Sequence, residues 1–179
     1  VLLLEAGGRD WHPFIHMPAG IGKLASNPRH NWNYTTEPEA NLEGRRLWWP
    51  RGKVLGGSSS INAMCYIRGV RGDYDDWARR TGDPRWAWDN VLGYFRRSER
   101  NARGADALHG AEGPLSVSDL RHRNPLSQVF LDAASAAGLP RNPDFNGAEQ
   151  EGFGYYQVTQ RNGARCSTAA SFLREASDR

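Results

Sequence analysis

The 179-residue chain is short of lysine, cysteine and methionine, and each shortage narrows what it can be. Lys23 and Lys53 are its only lysines, and arginine supplies the rest of its 23 basic residues. Against 20 acidic residues the formal charge is +3, spread along the chain. A nucleic-acid footprint needs basic residues gathered on one face or helix, so that class is set aside. Two cysteines, Cys65 and Cys166, cannot build a disulfide scaffold or a zinc site. They read as small buried hydrophobes of a protein in a reducing compartment. No apolar run approaches the ~18 residues of a membrane helix. There is no repeat and no low-complexity tract. An initiator methionine is also missing: Val1 opens inside what reads as a strand, and the chain is expected to be an interior piece of a longer polypeptide. A cytoplasmic location is expected, with membrane association left open.

What is present is a hydrophobic fraction of 39% with 7 Trp, 6 Tyr and 6 Phe, enough for a real core. Val1-Leu2-Leu3-Leu4 is the continuous apolar run of a strand buried on both faces. It stops at Glu5-Ala6-Gly7-Gly8. Residues 9–50, rich in Pro, Gly, Asn and aromatics, read as long loops with a short strand near Trp32 to Thr36; a stretch of that kind is expected to cover a ligand. Tyr74, Trp77, Ala78 and Thr81 recur at helical spacing, with acids early, Arg79-Arg80 late and Gly82 as stop. Trp88, Val91, Leu92 and Phe95 repeat the pattern. Leu115 and Val117 alternate with serines as a half-buried strand. A third helix starts at the cap Asn124 and Pro125, with Leu126, Val129, Phe130, Ala133 and Ala137 expected inward. A strand near Tyr155 to Gln160 and a last helix follow, capped by Ser167, with Phe172, Leu173 and Ala176 expected inward. The order is mixed α/β, turning α+β in the second part, without the regular alternation of a complete doubly wound domain.

Two features carry chemistry. An acid closing an apolar strand is the place where a dinucleotide-binding fold accepts ribose hydroxyls, although an ordinary surface glutamate reads the same way. The second is the run from Pro50 to Met64, with Arg51, Gly52, Gly56, Gly57, Ser58, Ser59 and Ser60. Glycines there let backbone N–H groups approach a bulky anion or ring. It is not a phosphate-binding Walker loop, because Lys53 precedes the glycines instead of closing them.

Gly52-Lys53-Val54-Leu55-Gly56-Gly57-Ser58-Ser59-Ser60-Ile61-Asn62, continued by Tyr66, Gly69 and Asp75, resembles the first signature of the glucose–methanol–choline (GMC) oxidoreductases. Leu2-Leu3-Leu4-Glu5-Ala6-Gly7-Gly8, Asn31-Trp32-Asn33-Tyr34, Gly152-Phe153-Gly154 and Gly163-Ala164-Arg165-Cys166-Ser167-Thr168-Ala169 are similar to that family in the same order, nearest its choline-dehydrogenase-like branch. The resemblance implies a partial Rossmann-like FAD-binding domain over 1–112. It implies the start of an antiparallel-sheet substrate domain over 113–160, and a helix over 161–179 leading back. It also implies a flavoenzyme that oxidises a primary alcohol, choline-like or other, by hydride transfer to FAD.

By the same resemblance, Glu5 with Ala6 and Gly7 holds the adenosine ribose. Trp32 packs on the cofactor, its alternative being a core tryptophan. Arg51, Gly52, Gly56, Gly57 and Ser58 line the pyrophosphate-to-ring stretch, and Asn62, Ala63, Met64 and Cys65 approach the ring. Some members link FAD to a histidine at the position of Ile61, so non-covalent FAD is expected here. The family's glycine fingerprint and catalytic histidine have no counterpart in this stretch. His12, His16, His30, His109 and His122 are therefore expected as loop or surface residues, and no catalytic residue is assigned. A small-molecule alcohol is the expected partner, with a membrane or electron acceptor open; no metal and no nucleic acid are expected. A flavin-bearing lyase of the same fold, and an inactive remnant serving as a binding module, are the alternatives.

Overall fold

The computed structural model describes residues 2–176. In chain order its helices are α1 (Pro13–His16), α2 (Ile21–Leu24), α3 (Arg71–Thr81), α4 (Trp88–Ser98) and α5 (Pro125–Ala136). Its strands are β1 (Tyr34–Thr35), β2 (Trp48–Trp49), β3 (Glu99–Asn101), β4 (Leu115–Val117), β5 (Gln160–Arg161) and β6 (Ala164–Arg165). A π-helical turn, Ala169–Leu173, runs into a last helical turn at Arg174–Ala176. Among the described residues no helix is long and apolar enough to cross a membrane.

The chain forms two compact units, one from residues 1–64 with 161–179, the other from 65–160. In the first, Ile15, Leu24, Val54 and Ile61 are buried together. Residues 9–50 hold no long helix, as expected, but α1 and α2 are single turns too short to show a helical period. Pro13 opens α1, and His12 Nδ1 accepts the Phe14 N–H at 3.2 Å. β1 pairs antiparallel with β2, Tyr34 opposite Trp49, across a turn where Glu43 and Gly44 take φ of 57° and 73°. The expected strand at Trp32 to Thr36 is thus real, with a tryptophan pair as its partner.

The opening strand is a correction. Val1 lies outside the described residues, and Leu2, Leu3 and Leu4 are exposed and form no strand. A strand buried on both faces needs a neighbour on each side, and among the described residues none pairs with it. Chain pairing begins only at Gly8, which forms a parallel bridge with Val54, Leu55 N–H donating to Gly8 O at 2.8 Å.

In the second unit α3 begins where Asp73 Oδ2 accepts the Val70 N–H at 2.9 Å and ends at Gly82, whose φ is 68°. Asp75 Oδ1 accepts the Trp88 N–H at 2.9 Å and starts α4. β3 and β4 run parallel, Glu99 opposite Leu115 and Asn101 opposite Val117. Parallel strands need a crossover, here a loop instead of a helix, and that loop carries His109.

α5 is capped as expected, Asn124 Oδ1 accepting the Leu126 N–H at 2.9 Å. Its buried side is not the expected one. Leu131 and Ala134 are buried, whereas Leu126, Val129, Phe130, Ala133 and Ala137 are exposed. The helix has two apolar stripes, and periodicity cannot say which one this unit covers. The expected strand at 155–160 is reduced to bridges of Val158 with Cys65 and Ser118, followed by β5. β5 and β6 form a hairpin across Asn162-Gly163, with φ of 52° and 82°, the pairing that suits a two-residue turn. In the terminal helical turn Ser167 Oγ accepts the Ala170 N–H at 3.2 Å, so the cap is as expected. Ala169 and Ser171 face inward there, while Phe172 and Ala176 are exposed and Leu173 is half-buried. The π-helical winding rotates the side chains away from the 3.6-residue spacing on which the expected face was read.

Candidate cofactor-binding site

The first unit brings the end of the Leu2–Gly8 segment against the glycine turn. Glu5 Oε1 accepts the Gly7 N–H at 2.7 Å, and the carboxylate is otherwise exposed. Gly7 lies so close to residue 53 that a Cβ on it would stand 2.1 Å from the Lys53 carbonyl. Gly52 is equally confined: its Cβ would stand 2.2 Å from the Gly57 carbonyl oxygen, and its N–H donates to Ser58 Oγ at 3.0 Å. Gly56 and Gly57 take φ of 89° and 55°, a left-handed pair that reverses the chain. Gly57 differs from Gly7, Gly52 and Gly56 because a Cβ there would meet nothing within 4 Å. The turn is thus packed tightly on its protein side and open where its backbone could face a ligand.

Other residues hold that turn from behind. Buried Asn31 accepts the Arg51 N–H at 2.7 Å and the Asn33 N–H at 3.0 Å through Oδ1, and its amide donates to the Ala25 carbonyl. Trp32 N–H donates to Arg51 O at 2.9 Å and Lys53 N–H to His30 O at 2.8 Å, which zips 30–32 to 51–53. Ser59 Oγ donates to Gly56 O at 2.6 Å and accepts the Thr168 N–H at 2.9 Å, and Thr168 Oγ1 also reaches Gly56 O at 3.1 Å. Asn31 and Thr168 are not among the expected site residues, and Ser59 is expected only as part of the glycine–serine run. Their signal was their presence in the similar segments 31–34, 52–62 and 163–169.

Trp32 is 40% exposed and so is no core residue of this unit; it stacks on Tyr34 with centroids 5.8 Å apart, and Lys53 Nζ lies 4.7 Å from its ring centre. Arg51 is exposed, its guanidinium bonded to Pro50 O at 2.7 Å and lying 5.0 Å from the Trp49 ring centre. Ala6, Ser58, Asn62 and Ala63 are exposed. Met64 is buried, with φ of 64°, so only its backbone could border a ligand. Cys166 is buried as expected, but Cys65 is exposed, a correction; its backbone bridges Val158 in the second unit, which turns its side chain outward.

A match to the GMC oxidoreductase family model extends over residues 16–179. The chain belongs to the GMC oxidoreductase family. It is 50% identical over 180 residues to an alcohol dehydrogenase [acceptor] of Pseudomonas putida, a match covering 100% of this chain and 32% of that protein. It is 46% identical to an oxygen-dependent choline dehydrogenase of Rhizobium johnstonii, over 98% of this chain and 32% of the relative. Among solved structures, pyridoxine 4-oxidase from Mesorbium loti superimposes with a TM-score of 0.88 at 36% identity, over 96% of this chain and 34% of the oxidase. This GMC chain therefore spans about a third of the length of the relatives it matches.

The second unit contains a buried charged cluster that sequence reasoning missed. Glu99, with 0% exposure, accepts from Arg68 Nη2 at 2.6 Å, Asn101 Nδ2 at 2.9 Å and Gly110 N–H at 3.1 Å. His109 Nδ1 lies 3.0 Å from Glu99 Oε1 and its Nε2 lies 2.9 Å from Asp144 Oδ2. A carboxylate at each nitrogen favours the doubly protonated ring. The hydrogen bond to Glu99, opposed by burial and helped by both carboxylate charges, raises the His109 pKa above its ordinary 6.5. Burial is the largest influence on Glu99 and opposes its ionisation. The hydrogen bonds from His109 and Gly110 and the Arg68 charge outweigh it together and hold the carboxyl below its usual range. His109 thus lies on a loop, as expected, but is buried there as a structural residue, which corrects the surface half of the expectation. Nothing in the sequence joins positions 68, 99, 109 and 144; the β3–β4 crossover brings His109 to Glu99, and the fold of the unit adds Arg68 and Asp144.

Among the described residues no three His, Cys, Asp or Glu side chains are placed to hold a metal ion.

Proposed function

We propose that this chain is the cofactor-holding part of an FAD-dependent oxidoreductase, and that the whole protein oxidises a primary alcohol, choline-like or other. The observation that carries the reading is the packing of Gly7, whose N–H bonds to Glu5, against Lys53 and Val54 in a turn whose Gly52 closes on Gly57 and Ser58, tight behind and open at Gly57. FAD fits these residues. The Glu5 carboxylate gives one oxygen to Gly7 N–H and retains acceptor capacity for a ribose diol, with Ala6 and Gly7 beside it. Arg51, Gly52, Gly56, Gly57 and Ser58 serve the pyrophosphate-to-ring stretch. Asn62, Ala63 and the Met64 backbone border the ring, and Trp32 offers an exposed face to the cofactor. Cys65 belongs to this group by the family resemblance alone.

When bound, FAD would supply the acceptor for the hydride of the alcohol carbon. The chain's own residues bind and orient; the base that removes the hydroxyl proton is assigned to none of them. The alcohol dehydrogenase and choline dehydrogenases among the relatives support an alcohol donor. Ile61 is buried and carries only hydrocarbon, so attachment is non-covalent, and the yellow colour is expected in the supernatant after acid precipitation. Alone, the 179 residues are expected to turn over no alcohol.

The test is anaerobic mixing of the purified full-length protein with choline and with short primary alcohols. Bleaching of the visible flavin band by one of them is the expected result. Bound flavin that no alcohol bleaches favours the lyase, and purified protein without flavin favours the remnant; either overturns the oxidoreductase reading.

A further inference from the structure

Arg165 is 3% exposed, and among the described residues no carboxylate accompanies it. Its guanidinium donates only to neutral oxygens: Nε to Ile15 O at 2.8 Å, and Nη1 to Ser59 O at 3.1 Å, Asn62 O at 2.8 Å and Asn62 Oδ1 at 2.9 Å. Its Nη2 has no partner among the described residues. Burial alone pushes its pKa down to about 10. Burying an unpaired cation is unfavourable for stability, and an aliphatic residue would fill an interior position without that penalty.

What the arginine does is settled at Asn62. The Oδ1 atom accepts from Arg165 Nη1 and from Met64 N–H at 3.0 Å, the latter closing a turn in which Met64 takes φ of 64°. Both groups are donors, so the amide atom facing them must be the oxygen. The Asn62 NH2 therefore faces away from them, and it has no partner among the described residues although the residue is exposed. An exposed asparagine ordinarily turns freely; this one is locked from beneath.

Resting on the flavin reading, the geometry points to Arg165 as a positioning residue that fixes the Asn62 amide as a hydrogen-bond donor to an acceptor atom on the edge of the flavin ring, and holds the Met64 turn in register with it. Arg165 itself touches no cofactor.

The experiment uses the full-length protein and three variants, Arg165→Met, Asn62→Leu and the double variant. FAD affinity and the visible spectrum of bound flavin are read for each. Loss of a charge-supported hydrogen bond weakens FAD by roughly tenfold or more. Arg165→Met and Asn62→Leu should shift the flavin band in the same direction, and the double variant should lose no more than the worse single one, because both act through one bond to the ring. A merely structural arginine would leave the spectrum of bound flavin untouched. Should Arg165→Met fail to fold, Asn62→Leu decides: an unchanged band and affinity overturn the proposal. So do fully additive losses in the double variant. Wild-type protein that binds no FAD overturns the flavin reading and this proposal with it, whereas wild-type protein with FAD and unaltered variants overturns this proposal alone.

Discussion

Glu99→Gln tests how the second unit is held. Glutamine keeps the size of Glu99 but replaces one oxygen with a donor. One carboxylate oxygen faces Arg68 and Gly110 N–H, the other His109 and Asn101, so either orientation of the amide sets donor against donor. Arg68 loses its buried counter-charge, and His109 is left with Asp144 alone. Breaking a buried pair by removing one partner costs about 3–5 kcal/mol. The pair between Arg103 and Asp119, 2.8 Å apart but exposed, is worth about 0–1 kcal/mol, so Arg103→Ala is the control. At about 1.4 kcal/mol per tenfold, Glu99→Gln should raise the local opening constant by roughly two to three and a half orders of magnitude. The assay is native-state amide hydrogen exchange in the full-length protein, read at β3 and β4, which the cluster anchors. Equal acceleration in both variants, or a Glu99→Gln effect below about 1 kcal/mol, would refute the claim that burial makes this cluster decisive.

The same cluster sets a pH window. Glu99 has a depressed pKa in the fold, so its stabilisation is present above the ordinary glutamate range and is lost as pH falls through the depressed value. His109 has a raised one, so its contribution is full below its ordinary 6.5 and is lost as pH rises through the raised value. The urea midpoint of this unit should fall on both sides; a midpoint still climbing through alkaline pH would refute the imidazolium. Gly7→Ala places a methyl 2.1 Å from the Lys53 carbonyl, whereas a methyl on Gly8 meets nothing within 4 Å. The first should weaken FAD by about tenfold or more and the second hardly at all, as titrated fluorescence quenching would show. Asn124→Ala removes the cap of α5 and should lower stability by about 1 kcal/mol in chemical denaturation; no change would mean that the cap is idle.

Local chemistry was legible without coordinates. Gly82 ends α3 because a left-handed residue favours glycine, and Asn124-Pro125 opens α5 because an asparagine oxygen and a proline both suit a helix start. The stretch 52–58 announced a turn through its glycines, and its tight side and open side follow from missing Cβ atoms. These signals lie within a few residues of one another, so sequence alone determined them, along with the family that the ordered motifs resemble. Tertiary structure decided everything that joins distant positions. It chose Leu131 and Ala134 over Leu126 and Phe130 as the covered stripe of α5, and Leu2 to Leu4 pair with no strand among the described residues. It set loop residue His109 between the buried carboxylate of Glu99 and the half-buried one of Asp144, and Arg165 under Asn62 across a hundred residues of chain. Burial and the pairing of buried charge depend on which segments meet in space, and neighbours in sequence carry no record of that.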